Sequence, residues 1–447
     1  MDKMNIPTAV QKYLNKFADN NHVLETSSEK YFNNIIVIPA IAEYENIQVL
    51  LKSFLSGSSK HFNYTLICFV VNNTAGVSPE ILHANYETLE FLRELIFNRS
   101  PDKYNDLKME INSSGLNIGL VDTSSPNNVL DEKNGGVGLA RKTGMDLALH
   151  YFDYNNQYKK LLICLDADCR VDSDYLDVII EEMNSLNAHA GYVKFEHNWD
   201  GLDENAEAIV CYEIFLRYYV LGLMFANSPY AFHTIGSTMI CDHEAYIKVQ
   251  GMNKRKAAED FYFMEKLAKH YPIYKIDNTC IYPSGRGSWR VPFGTGQRVN
   301  RFISKMQDEY QLYSPKSFEL LKKWNDFFFS DSAKTVEEIY IKAEEIHPVL
   351  KEFLALNSFE KDWKNIVSNS KSIDQLRQQK KLWFDGFRTL KLIHLFRDKV
   401  FENVHMFDAL DIILELIGEE KKITRQIKII PDIPTQLEYL KLLRHYA

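Results

Sequence analysis

Residues 161–168 of this chain read LLICLDAD. Five apolar residues in succession are typical of a strand that is buried on both faces of a parallel sheet. Two carboxylates, Asp166 and Asp168, follow at the point where the apolar run stops. Open α/β sheets bind their ligands in the crevice outside the carboxyl ends of the strands. The stretch therefore predicts an α/β fold with a polar site at the carboxyl edge of the sheet.

The same alternation of apolar runs and helical stretches begins at about Asn34 and predicts a mostly parallel central sheet. Residues 35–38 form the first predicted strand, which Pro39 closes, and residues 65–71 form the second. Residues 31–305 are predicted to be one α/β domain, preceded by an N-terminal helical arm over residues 1–30. From residue 306 to residue 447 helical periodicities replace the short apolar runs, which predicts an α-helical accessory region.

Composition limits the classes of function. With 447 residues the chain exceeds what a single core usually supports, so more than one structural unit is expected. The formal net charge of −8 argues against broad binding of nucleic acid. The six cysteines show no CxxC spacing, which argues against a zinc site and a disulfide framework. The first residues lack the apolar stretch of a secretory signal, so a cytoplasmic protein is expected.

The most apolar long run, residues 209–226, is predicted to be a buried helix rather than a transmembrane span. It contains Glu213 and Arg217, which are costly inside a bilayer and lie four residues apart, where they can pair on one helix face. The basic aromatic stretch 380–384 leaves peripheral contact with a membrane or a lipid-linked acceptor as an alternative to helix packing.

The pair Asp166 and Asp168 suits a divalent cation. Residues two apart on an extended chain project to the same side, and Mg²⁺ or Mn²⁺ prefers oxygen ligands and leaves positions open for phosphate oxygens. A solvated acidic turn or a helix cap is the alternative interpretation of this pair. His197 and His233 are candidates for a third ligand, and structural histidines are the alternative.

Four further stretches give the aspartate pair a context. They are PAIAEYENI at residues 39–47, GVGLARKTG at 136–144, TIGSTM at 234–239 and AED at 258–260. Together with LDAD at 165–168 they resemble, in the same order, the motifs of family 2 glycosyltransferases. The resemblance covers about residues 34–300 and implies a nucleotide-binding domain of the GT-A fold.

The resemblance implies roles for individual residues. Asp260 would be the general base with Glu259 supporting it, and Asp166 and Asp168 would hold Mn²⁺ or Mg²⁺ against the donor diphosphate. The nucleotide-sugar-binding residues are then Pro39, Ala40, Glu43, Asn72, Gly136, Arg141, Asp166 and Gly236. Asn72 stands where the family usually has an Asp, which suggests an altered preference for the base.

A glycine-rich basic segment, residues 284–298, adds two more candidates. Arg286 suits bidentate contact with phosphate and Trp289 suits packing on a sugar face, so the segment could close over the donor. An ordinary surface loop is the alternative interpretation.

These patterns lead to one functional hypothesis with two alternatives. The hypothesis is metal-dependent transfer of a single sugar from a nucleoside-diphosphate sugar to a hydroxyl of an unidentified glycan, lipid or small molecule, with inversion and without processivity. A catalytically silent nucleotide-sugar-binding or scaffolding protein is one alternative. A sugar-phosphate nucleotidyltransferase is the other alternative. An enzyme of that class is expected to carry a glycine-rich basic loop directly after the first strand, where this chain has PAIAEYENI at residues 39–47.

Overall fold

The structure is a computed structural model that describes residues 5–18, 21–100, 102–198, 204–287, 294–332, 334–421, 423–425 and 430–447. Its strands are β1 (Leu24–Thr26), β2 (Asn34–Ala40), β3 (Thr65–Asn72), β4 (Asn117–Thr123), β5 (Leu161–Cys164), β6 (Arg170–Val171), β7 (Ala190–Phe195), β8 (Met239–Asp242), β9 (Tyr274–Tyr282), β10 (Gln311–Leu312) and β11 (Val404–His405).

The first helices are α1 (Thr8–Phe17), α2 (Tyr44–Leu55), α3 (Pro79–Phe97), α4 (Asn105–Ser114), α5 (Val137–Ala148), α6 (Tyr175–Ser185), α7 (Glu204–Phe225), α8 (His243–Lys248) and α9 (Glu259–Ala268). The remaining helices are α10 (Thr295–Ile303), α11 (Pro315–Phe328), α12 (Val336–Ile346), α13 (Pro348–Leu356), α14 (Phe359–Asn369), α15 (Ile373–Trp383), α16 (Gly386–Lys399), α17 (Met406–Leu416) and α18 (Ile433–Tyr446).

The described residues fall into two compact units. The first is built from residues up to 198 and from residues 234–284, and the second from residues 204–233, 285–287 and 294–447. The first unit contains one sheet of nine strands in the order β1-β4-β3-β2-β5-β8-β7-β9-β6. The four neighbours β4, β3, β2 and β5 are parallel to one another. The predicted α/β class with a mostly parallel central sheet is confirmed.

The central strands are apolar along their whole length because helices cover both faces of the sheet. β2 and β3 are buried at every position. On one face α5 approaches so closely that a methyl group at Gly144 would lie 2.6 Å from Val37 Cγ1 and 2.7 Å from Val70 Cγ2. This close packing fixes α5 over β2 and β3, and α5 carries the glycine-rich motif.

Pro39 lies inside β2 and does not close it. It pairs with Val70 of β3, whereas β5 pairs with β2 only as far as Val37. A residue without an amide hydrogen is tolerated at a position where the strand has a neighbour on one side only.

The N-terminal residues pack onto this sheet unit. β1 is the edge strand and pairs antiparallel with β4, and the hydroxyl of Tyr13 in α1 donates to Asp146 of α5 at 2.7 Å. The segment predicted as an N-terminal helical arm therefore contains a strand of the sheet. It also makes a buried polar contact with α5.

The second unit is mainly helical, as predicted for residues 306–447. The capping box that Thr335 and Glu338 predict is present at the start of α12, and α17 ends before Gly418, whose φ is 84°. β10 and β11 form a small antiparallel pair. The core of this unit is rich in aromatic rings, including the buried Trp324 and Trp363.

α7 also belongs to the second unit, although the sequence-based boundaries place it inside the α/β domain. Its apolar positions, among them Ile214 and Tyr218, lie in the same core cluster as those of α11 and α17. By length and composition alone, Ala206–Phe225 is the one helix among the described residues that could cross a membrane, and 67% of its apolar window is buried in the protein. Glu213 and Arg217 form the predicted pair, at 2.8 Å.

Candidate active site

The candidate active site lies in the first unit, at the carboxyl edge of the parallel strands. β5 ends at Cys164, and Leu165 Nα still donates to Val37 O of β2 before the chain reaches Asp166. Asp166 and Asp168 are both partly exposed, whereas Ala167 between them is buried. The strand geometry assumed for these carboxylates does not persist, because the chain turns here and Cys169 N donates to Asp166 O at 3.2 Å.

Arg141 of α5 joins two of the sequence motifs. Its residue is 2% exposed, and its two terminal nitrogens donate to separate carboxylates, Nη2 to Asp166 Oδ1 and Nη1 to Glu259 Oε1. Both hydrogen bonds join charged groups, and charge-assisted hydrogen bonds are the stronger class. The glycine-rich motif, the aspartate pair and the acidic motif thus meet at one guanidinium.

Two glycines make room for this arrangement. A methyl group at Gly236 would lie 2.5 Å from both Nη1 and Nη2 of Arg141, so the guanidinium rests against the bare backbone there. A methyl group at Gly138 would lie 2.9 Å from Cβ of Glu259 and 3.1 Å from the carbonyl oxygen of Asn253. The structure thus gives Gly236 the role of admitting Arg141.

Glu259 and Asp260 open helix α9, where the helix dipole favours negative charge. Burial raises the pKa of Glu259 to about 7, with Arg141 opposing the rise and Asp260 adding to it. Burial also raises the pKa of Asp260, and Arg141 again opposes the rise. A carboxylate whose pKa lies closer to neutrality is a more effective general base.

The two carboxylates differ in their contacts. Glu259 is directed at Arg141, and its side chain is 5% exposed. Asp260 is half-buried, and its Oδ1 accepts from Phe261 Nα at 2.7 Å. Among the described residues, none donates to Asp260 Oδ2. The geometry therefore leaves Asp260 Oδ2 as the oxygen that can accept a proton, with Glu259 holding Arg141.

The ends of β2 and β3 form the next part of the same edge. Pro39, Ala40, Glu43 and Asn72 are all buried there. Glu43 Oε2 accepts from Asn46 Nδ2 at 2.6 Å, so the Glu43 carboxylate is oriented by the start of α2.

Asn72 uses its amide group to connect the two strand ends. Nδ2 donates to Ala40 O at 3.0 Å and to Val70 O at 3.3 Å, which takes up both of its hydrogens. No described residue donates to Oδ1 of Asn72. The side chain can therefore offer a ligand an acceptor, the capacity that an Asp would offer, without the charge.

Asn85 of α3 completes this strand-end network, and it belongs to none of the sequence motifs. Its Nδ2 donates to Asn72 O at 3.2 Å and to Asn73 Oδ1 at 2.8 Å, and its Oδ1 accepts from Ala42 Nα at 2.8 Å. Ala42 has a φ of 54°, a strained value for a residue with a side chain. No sequence signal distinguishes Asn85 from other asparagines on helices.

The donor set at Asp166 and Asp168 fits a hard divalent cation. Among the described residues no group of three or more His, Cys, Asp or Glu side chains is arranged to hold a metal, so neither His197 nor His233 completes a protein-only site. Mg²⁺ is commonly held by one or two protein carboxylates together with substrate phosphates. Asp166 and Asp168 can provide the carboxylates, because both are partly exposed. Arg141 already neutralises one oxygen of Asp166.

Gly136 and Lys142 of the glycine-rich motif differ from Arg141 in their contacts, and the candidates of segment 284–298 lie outside the first unit or outside the described residues. The backbone of Gly136 faces Lys256, to which an added methyl group would come within 3.2 Å. Lys142 points away from Arg141 and donates to Asp146 at 2.7 Å. Arg286 belongs to the second unit, and Trp289 lies outside the described residues.

The basic aromatic stretch 380–384 packs within the second unit. Trp383 and Phe384 are buried in its aromatic core, and Lys380 Nζ donates to Ser330 O at 2.6 Å. Helix packing thus accounts for these residues.

Comparison with known proteins gives weak similarities only. No protein-family model matches the chain, and no curated protein matches it. Among solved structures, S. aureus TarS 1–349 in complex with UDP-GlcNAc is 13% identical with a TM-score of 0.39, over 78% of this chain and 91% of that chain. The mannosyltransferase PcManGT from Pyrobaculum calidifontis in complex with GDP-Man and Mn²⁺ is 12% identical with a TM-score of 0.36, over 87% of this chain and 93% of that chain. These similarities are too low to carry an argument about function.

Proposed function

We propose that this chain is a metal-dependent glycosyltransferase that moves one sugar from a nucleoside-diphosphate sugar to an acceptor hydroxyl, with inversion and without processivity. One observation carries the proposal: Arg141 holds Asp166, of the candidate metal pair, and Glu259, next to the candidate base, at one corner of the sheet. A site for a departing diphosphate and a site for an acceptor proton are thereby adjacent.

The residues divide the chemistry between them. Asp260 Oδ2 takes the proton of the acceptor hydroxyl while that oxygen forms a bond to the anomeric carbon and the bond to the diphosphate breaks. Because the acceptor oxygen attacks from the side opposite the leaving group, a single displacement inverts the anomeric centre. Arg141 keeps Glu259 beside the base and Asp166 beside the leaving group.

Asp166 and Asp168 would hold the cation. When bound, a divalent ion supplies positive charge to the departing diphosphate. Asp166 can contribute Oδ2, since Arg141 occupies its Oδ1. The nucleoside would then extend over the ends of β2 and β3, because neighbouring strands lie roughly 5 Å apart and β3 is two strands away from β5.

Release of nucleoside diphosphate by water tests the proposal without a known acceptor. Wild-type protein incubated with Mn²⁺ and UDP-glucose, UDP-N-acetylglucosamine or GDP-mannose should slowly release diphosphate from at least one donor. Asp168→Asn should reduce that release roughly a hundredfold, since stabilisation of the leaving group by a metal ion contributes several kcal/mol. Asp106→Asn, on the exposed face of α4, is the matched control and should retain the wild-type rate.

Two outcomes would remove the assignment. Undiminished release by Asp168→Asn would show that the aspartate pair does not serve the leaving group. Binding of donor with no release by the wild type would favour the silent nucleotide-sugar-binding protein instead.

A further inference from the structure

A short cationic loop precedes the acidic motif. Lys254, Arg255 and Lys256 are consecutive and exposed, and the last of them lies three residues before Glu259. Among the described residues none of the three forms an ion pair. Three adjacent cations without an ion-pair partner thus lie close in sequence to a candidate catalytic carboxylate, in a chain whose formal net charge is −8.

The loop is held in place at several points. Asn253 Nδ2 donates to Glu259 O at 3.1 Å, which closes the loop onto the first residue of α9. In the segment that leads into the loop, Val249 O and Gly251 O accept from Lys266 Nζ of α9 at 3.0 and 2.8 Å. These hydrogen bonds fix the backbone of the loop relative to α9.

The loop also packs against the glycine-rich motif. A methyl group at Gly136 would lie 3.2 Å from Cα of Lys256, and one at Gly138 would lie 3.1 Å from Asn253 O. The guanidinium of Arg255 lies 3.8 Å above the ring of Tyr262, a cation–π contact that leaves its edge available for hydrogen bonds. The backbone that carries the three cations is therefore held against α9 and the glycine-rich motif, and the Arg255 side chain is held by Tyr262.

Asp131 is an acidic residue whose electrostatic interaction with Lys254 is weak. Asp131 accepts from Asn134 Nα, and this hydrogen bond, with a smaller contribution from Lys254, lowers the pKa of Asp131. Asp131 is itself exposed, so it does not bury or neutralise the charge of the loop. The three cations of the loop therefore remain exposed without an ion-pair partner among the described residues.

We propose that this loop, residues 254–256, binds a negatively charged acceptor, one that carries phosphate or carboxylate groups close to the hydroxyl that receives the sugar. The inference rests on the proposed function, because it places the acceptor next to Asp260. Lysine supplies a point charge and arginine a bidentate fork, and both suit phosphate and carboxylate oxygens. A neutral acceptor would gain nothing from three cations at this position.

Sodium polyphosphate is a suitable probe, with dextran as an uncharged counterpart. Titrated calorimetrically into the full chain, polyphosphate should bind, dextran should not, and the affinity should fall as salt rises from about 50 to 200 mM. Lys254→Gln combined with Lys256→Gln should weaken polyphosphate binding about fivefold, since exposed ion pairs are individually modest. Arg255 is left in place so that its contact with Tyr262 is preserved.

Lys30→Gln combined with Lys52→Gln is the matched control, because both residues are exposed in the same unit and the change of charge is equal. It should bind polyphosphate as the wild type does. Equal loss in the two double variants, or no binding by the wild type, would overturn the proposal.

A titration of polyphosphate in the presence of saturating UDP and Mn²⁺ tests whether the loop binds the acceptor or the donor diphosphate. Polyphosphate should still bind, and if UDP displaces it the cations serve the donor diphosphate and the proposal fails. Donor release by the wild type is measured in parallel. If the wild type releases no nucleoside diphosphate, that result contradicts the proposed transferase function. It does not contradict anion binding by the loop, which the polyphosphate titration measures independently.

Discussion

At the scale of single residues, Arg141 is the side chain that the candidate site depends on most. It is buried, and burying a guanidinium is costly unless carboxylates pair with it. Asp166 and Glu259 supply that pairing from two segments that are 93 residues apart by their numbers in the sequence. Any change at Arg141 therefore alters both the candidate metal pair and the candidate base.

Arg141→Gln is expected to lower kcat and to move the acid limb of the pH–activity profile to higher pH. The guanidinium opposes the rise in the pKa of both Glu259 and Asp260, so its removal raises both values. A base that works deprotonated then loses its proton only at a higher pH, and activity is lost earlier as the pH falls. Rates of donor release measured between about pH 5 and 9 check this, with limbs set by the pKa of the acting groups.

Arg141→Lys keeps the charge and serves as the control for that profile. Its acid limb should remain nearer to that of the wild type, even if kcat falls through the loss of the fork geometry. An acid limb that stays in place or moves to lower pH in Arg141→Gln would contradict the assignment of the charge effect.

Asn72→Asp is expected to weaken the fold without changing the order of preference among nucleoside diphosphates. A carboxylate cannot donate to Ala40 O and Val70 O, and the loss of these buried hydrogen bonds costs about 1–3 kcal/mol. The acceptor offered to a base is retained, so the altered base preference suggested by the sequence is not expected. Denaturant unfolding and calorimetry with UDP, GDP, CDP and ADP measure the two effects.

Asn105→Asp makes the same chemical change at an exposed position and should leave stability near that of the wild type. A reversed order of nucleotides in Asn72→Asp, at undiminished stability, would restore the earlier hypothesis.

At the scale of elements, α5 directs two consecutive cations to opposite sides. Arg141 faces the candidate site, while Lys142 donates to Asp146, which also accepts from Tyr13 and Tyr246 at 2.7 Å each. This second group of contacts ties α1 and α8 to α5. The position of Arg141 thus depends on a buried polar cluster on the other side of its own helix.

Lys142→Met is expected to destabilise the first unit by about 3–5 kcal/mol, because it leaves the Asp146 carboxylate buried without its cation. Adding Asp146→Asn removes that charge, keeps an acceptor for the two tyrosines and should restore most of the loss. Chemical denaturation of the two single variants and the double variant gives the coupling between them. Additive losses would contradict the proposed ion pair.

The sequence predicts the elements whose signals are local. The apolar runs of β2, β3 and β5, the capping box at Thr335 and the stop at Gly418 are each set by neighbouring residues, and the structure confirms them. The arrangement of α1, β1 and α7 depends on partners far along the chain, such as Asp146 for Tyr13, and periodicity does not identify partners.

The candidate site shows the same limit. The resemblance to family 2 glycosyltransferases implies that Asp166 and Glu259 belong to one site, and in the structure both accept hydrogen bonds from one guanidinium. The close approach of Arg141 to Gly236 needs the packing of α5 on the sheet, which no single motif reports. The charge of residues 254–256 was visible in the sequence, but its fixed position next to Glu259 was not.

At the scale of the whole molecule, the described residues form two compact units with separate hydrophobic cores. A chain built in this way is not expected to unfold in a single two-state transition. A ligand that binds only one folded unit should raise the transition of that unit, by an amount set by its concentration relative to Kd. Calorimetric unfolding can therefore assign the donor to a unit.

Glu213→Leu is expected to lower the transition of the second unit. The Glu213 carboxylate is fully buried and accepts from Arg217 at 2.8 Å and from Arg444 at 2.8 Å, so its removal deprives two guanidiniums of a shared partner. A loss of about 3–5 kcal/mol in the stability of the second unit follows, because one partner of a buried ion pair is removed.

UDP with Mn²⁺ should raise the transition of the first unit in the wild type and in Glu213→Leu alike, because Asp166, Asp260 and Asn72 all lie in the first unit. Glu213→Gln keeps an acceptor and should lower the stability of the second unit by less. If UDP with Mn²⁺ instead raises the transition that Glu213→Leu lowers, nucleotide binding belongs to the helical unit, away from the aspartate pair.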